Sequence, residues 1–83
     1  MPKNPSGEFY RGMIFEPDGS GERLILERRP YAHTKRRTIR EADRRNWDWR
    51  IERCLVIGDP RDSELRVIET WSSVGGHELA EGK

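Results

Sequence analysis

Trp47-Asp48-Trp49-Arg50-Ile51-Glu52-Arg53-Cys54-Leu55-Val56-Ile57 is the stretch on which the fold turns. Trp47, Trp49, Ile51, Leu55 and Ile57 alternate with Asp48, Arg50 and Glu52, and Arg53 alone breaks the row. Alternation at period two marks a half-buried strand. A helical reading puts Trp47, Ile51, Cys54 and Leu55 on one face but leaves Trp49 and Ile57 unexplained. A strand is therefore expected, with Trp47 and Trp49 in the core and Cys54 facing away from Ile51 and Leu55 as a small buried or half-buried hydrophobe.

Downstream, Gly58-Asp59-Pro60-Arg61-Asp62 reads as a turn, followed by a strand marked by Leu65, Val67 and Trp71 with Ile68 opposite. Upstream, Thr38-Ile39-Arg40-Glu41 has the spacing of a capping box, which predicts a short helix from about Ile39 to Arg45. Ile39 and Ala42 are its only apolar stripe, so it is expected to dock shallowly. Arg29-Pro30 ends the element before it, since Pro cannot donate in a central ladder.

The first third of the chain carries the firmest local signal. Phe9, Met13 and Phe15 lie on one face of Glu8 to Glu16, with Arg11 in their row and Tyr10, Gly12 and Ile14 on the other face. Pro17-Asp18-Gly19-Ser20-Gly21 then supplies a preset φ and glycines that accept positive φ. Glu22 to Arg28 follows, with Leu24 and Leu26 on one side and Ile25 on the other, completing a β-hairpin.

Assembled, the expectation is an α+β, β-rich fold: two β-hairpins in a four-stranded antiparallel sheet, with one short helix or basic loop between them. One sheet face should be partly wet, carrying Arg50, Glu52, Arg66 and Glu69. Residues 1–7 read as a flexible arm, 8–71 as a single small domain, and 72–83 as a flexible tail weakly anchored by Leu79.

Composition sets the class. Eighty-three residues leave no room for a second core. An apolar fraction of 33% against 37% charged makes that core thin, although three Trp, two Tyr and two Phe supply large buried surfaces. Cys54 is the sole cysteine, so there is no disulfide framework. The first residues lack the apolar stretch of a signal peptide, and the longest apolar run, Cys54-Leu55-Val56-Ile57, is far short of a membrane span. A cytoplasmic protein with no membrane partner is expected.

Net charge is only +1, but it is unevenly laid out. Arg28, Arg29, Lys35, Arg36, Arg37, Arg40, Arg44 and Arg45 stand against Glu41 and Asp43, so residues 28–45 carry +6. The flanks 1–27 and 46–83 carry −2 and −3. A basic run with Tyr31 and His33 interleaved suits phosphate neutralisation plus stacking. The bland alternative is a solvated face paired with the acidic flanks. Trp71, at the end of the last strand, is a candidate interface anchor.

Catalytic and cofactor signals are thin. Two His and one Cys do not make a metal site, and Gly19-Ser20-Gly21 lacks the helix a phosphate loop needs. No cofactor, metal site or catalytic set is expected. The leading expectation is a non-enzymatic binding protein docking residues 28–45 on a polyanion, nucleic acid first, through the basic residues above and Tyr31. The alternatives are a phage or mobile-element inhibitor of a nucleic-acid-handling protein complex, and a ribonuclease-like toxin using His33, Tyr31 and nearby Arg. An exposed sheet edge also allows a homodimer.

Overall fold

The computed structural model describes residues 7–58 and 61–79. Most of the expected arm, Asp59 and Pro60 of the second turn, and the end of the expected tail lie outside them. The elements run β1 (Glu8–Phe15), β2 (Glu22–Glu27), α1 (Tyr31–Arg45), β3 (Asp48–Ile57), β4 (Glu64–Ser72) and β5 (Gly76–Leu79). The strands form one antiparallel sheet in the order β2-β1-β3-β4-β5. The β-rich α+β architecture is as expected, with five strands rather than four.

The turn at residues 17–21 joins β1 to β2, closed by Glu16 N–H donating to the Gly21 carbonyl at 2.9 Å, with Gly19 at φ 80°. The stretch after Trp47 is indeed a strand. β1 and β3 pair without interruption from Glu8↔Leu55 to Phe15↔Asp48 and form the middle of the sheet. Because side chains alternate, Tyr10, Gly12, Ile14, Trp49, Ile51 and Arg53 share one face, and Phe9, Arg11, Met13, Arg50, Glu52 and Cys54 share the other.

α1 lies on the first of these faces, over β1, β2 and β3. Thr34, Thr38 and Ala42, spaced four apart, are fully buried beneath it. Ile14 and Ile51, on the sheet face beneath the helix, are likewise at 0% exposure. Each fully buried Ile contributes about 1.5–3 kcal/mol. The seat is tight at Gly12, where an added Cβ would overlap the Thr38 hydroxyl and come 3.2 Å from Thr34 Cγ2.

Five expectations need correction. The helix starts at Tyr31, not near Ile39, because Pro30 with φ −57° precedes its first turn and Thr34 donates to the Pro30 carbonyl at 3.0 Å. Thr38 is consequently a buried mid-helix residue and caps nothing. The helix ends at Asn46 (φ 60°), where Asn46 and Trp47 donate back to the Asp43 and Ala42 carbonyls, a Schellman arrangement. That places Trp47 outside β3, against Arg45.

The other three concern strands. Part of the stretch read as tail forms β5, reached through a turn in which the Gly75 N–H donates to Ser72 Oγ at 2.8 Å and Gly76 adopts φ 70°. A register shift between Arg53 and Cys54 leaves Ile68 as an extra residue in β4, so Arg66 and Glu69 face the helix side while Arg50 and Glu52 face away. A second shift in β2 pairs Leu24 with Met13 and Leu26 with Gly12, placing them on opposite faces rather than the same one.

Candidate functional site

Cations in this fold fall into two populations. Those on the sheet are paired, Arg23 excepted. Arg11 Nε reaches Glu52 Oε1 at 2.6 Å and Arg50 Nε reaches Glu52 Oε2 at 2.9 Å, on the face without a helix. Partial burial disfavours the Arg11 charge, but its hydrogen bond to Glu52 and that carboxylate's field outweigh this and raise its pKa. On the other face Arg53 bridges Glu8 at 3.1 Å and Glu69 at 2.8 Å, which raises its pKa further above the ordinary value. Arg66 pairs with Glu64 at 3.5 Å.

The helix cations are different. Of the expected binding residues, Lys35, Arg36, Arg37 and Arg40 are exposed on α1 and have no carboxylate oxygen within 4.0 Å among the described residues. Arg28 and Arg29, just before the helix, also lack one. Arg28 holds φ 66° and lays its guanidinium 4.1 Å from the Phe9 ring centre. Arg23, on the β2 edge, is in the same condition. Arg44 and Arg45 instead share Glu41, at 3.1 and 3.7 Å. The free positive charge of the 28–45 segment thus lies at its N-terminal end and along the first turns of α1, where there is no acidic residue.

Helical geometry orders this group. Arg36 and Arg40 follow one another up the outer face, and Lys35 and Arg37 leave the axis about 100° to either side of Arg36. On the flank towards β4, Lys35, Arg36 and Arg40 rim an open groove of about 640 Å³ floored by Tyr31, Ala32 and Ile39, with Asp43 at its end.

Tyr31 and Trp71 belong to a second feature beside this groove. Their rings are 4.7 Å apart, Tyr10 lies 5.5 Å from Tyr31 and 6.2 Å from Trp71, and His77 stacks parallel on Trp71 at 5.2 Å. Trp71 is thus half-buried within a ring cluster rather than standing free. His77 Nε2 also lies 2.6 Å from Glu69 Oε2. Arg53 first, and His77 second, hold the Glu69 carboxyl below its ordinary pKa.

No protein family, curated protein or solved structure matches this chain. Its site stands on its own geometry. Tyr31 and His33 are two residues apart on a helix, so they point about 200° apart and are not brought together. Cys54 is fully buried, and burial raises its thiol pKa. Among the described residues no group of three or more His, Cys, Asp or Glu could hold a metal ion, and no helix is long and apolar enough to cross a membrane.

Sequence reasoning missed the Arg53–Glu8–Glu69–His77 cluster altogether. It draws on three strands besides that of Arg53, and the β4 bulge that sets its parity leaves no trace in periodicity.

Proposed function

We propose that this chain is a non-enzymatic binding protein that docks the outer face of α1 on nucleic acid. One observation carries the reading: every sheet arginine but Arg23 has a carboxylate partner, while Lys35, Arg36, Arg37 and Arg40, on a single helix, have none among the described residues. Apart from Lys35, whose Nζ lies 5.9 Å from the Tyr31 ring centre, these exposed cations have no internal partner among the described residues, and such charges add little to folding stability. On a polyanion each would displace a condensed counterion.

The test is a gel shift against DNA and RNA at two salt concentrations. Binding should weaken with salt by about 0.7 to 0.9 log units per phosphate contact for each log unit of salt. Arg36→Gln with Arg37→Gln should flatten that slope and leave the thermal melt unchanged. A double variant that binds every nucleic acid as the unaltered protein does would reduce the basic segment to a solvated face.

A second reading is an acidic protein partner within a nucleic-acid-handling complex. The groove floored by Tyr31, Ala32 and Ile39 and rimmed by Lys35, Arg36 and Arg40 supports it, because it offers apolar contact beside the charge. Under that reading the same double variant loses one protein partner and nucleic acid shows no shift at either salt concentration.

A further inference from the structure

The aromatic rings near the cations are already engaged. Tyr10, Tyr31, Trp71 and His77 cover one another. Arg28 lies over Phe9, Lys35 over Tyr31, Arg45 over Trp47 and Arg50 over Phe15. None of the Phe, Tyr or Trp residues is exposed; all are half-buried. Proteins that hold single strands generally offer open rings on which successive bases stack. Here such a platform is missing, and the unpaired cations stand on the convex side of a helix that rises from one face of the sheet.

That shape suits a groove. An α-helix with its side chains is about 10–12 Å across, and the major groove of B-form DNA is about 12 Å wide. The major groove of an A-form RNA duplex is deep and too narrow to be read by side chains. The cations match this geometry, since Arg36 and Arg40 point straight out while Lys35 and Arg37 diverge to either side. Ala32, one turn before Arg36, is exposed and adds no bulk. Glu41 and Asp43 confine the positive stretch to the N-terminal part of the helix, the end whose dipole also favours phosphate.

Resting on the nucleic-acid reading above, we infer that α1 docks in the major groove of duplex DNA. Arg36 and Arg40 face the base edges, and Lys35 and Arg37 reach the phosphates on the two groove walls. Guanidinium groups at the groove floor suit the paired acceptors of guanine.

The experiment is fluorescence anisotropy of the full chain with a labelled DNA duplex, an RNA duplex of the same sequence and one DNA strand, each at two salt concentrations. The DNA duplex should bind at least about tenfold more tightly than either other form, equivalent to about 1.4 kcal/mol. The two phosphate contacts, from Lys35 and Arg37, predict a log–log salt slope of about −2. Arg36→Gln with Arg40→Gln should erase the duplex preference, whereas Arg66→Gln, on the sheet, should leave it intact.

A preference below tenfold, or one that survives the Arg36/Arg40 double change, overturns the groove docking. If all three forms bind equally, the broader nucleic-acid reading stands without it. If none binds, both fall together.

Discussion

Gly12 lies directly beneath Thr38, so close that the hydroxyl occupies the place a Cβ would take. Thr38 Oγ1 is buried there without a hydrogen-bond partner among the described residues. The contact sets how near α1 can sit to β1. Gly12→Ala should destabilise the fold by about 1–3 kcal/mol, the usual range for forcing atoms into a packed core. Thr38→Val keeps the shape and removes the unsatisfied hydroxyl, so it should be neutral or stabilising. Urea unfolding of the two variants checks both, and equal midpoints would refute the close seat.

Glu52 is 7% exposed although no helix covers its face. Arg11 and Arg50 clamp it from two strands, the first through an aligned hydrogen bond and the second through charge proximity alone. Glu52→Gln leaves two guanidinium groups facing a neutral amide, and should cost about 2 kcal/mol in chemical denaturation.

Acid should weaken the Arg53–Glu69–His77 cluster. The Glu69 pKa is depressed in the folded protein, so its contribution is present above the unfolded carboxylate value and is lost as pH falls through the lower folded value. Stability should therefore decline as pH drops through and below the ordinary carboxylate range. Glu69→Gln should reduce the difference between neutral and acid melting temperatures.

Burial raises the Cys54 thiol pKa and keeps it protonated. Alkylation at mildly alkaline pH should run far slower in the native protein than in denaturant, because only the thiolate attacks. Equal rates in the two conditions would mean that the residue is accessible.

Much of the sheet was legible in the sequence, and the reasons are local. Trp49 and Ile51 alternate with charged residues, and Pro17 to Gly21 contains its own turn chemistry. The start of α1 was not legible, because its buried stripe is Thr34, Thr38 and Ala42 rather than large apolar residues. Gly12 makes that stripe workable, and a glycine in one element does not announce small partners in another. β5 was missed because Leu79 is its only sizeable apolar side chain and it stays largely exposed. The basic segment was visible as composition, but the division into paired and unpaired cations depends on which strands lie side by side.

The close seat of α1 has a consequence for how this protein can change. The helix is held by Thr34, Thr38 and Ala42, and its unpaired cations sit at 35, 36, 37 and 40, so the two sets share no residue. Drift at the outer positions leaves the seat untouched, and a library randomised at Ala32, Lys35, Arg36, Arg37 and Arg40 should yield mostly folded members. The seat and the outer cations are separately heritable, so under the proposed docking a lineage built on this chain can trade one target for another without passing through an unfolded ancestor.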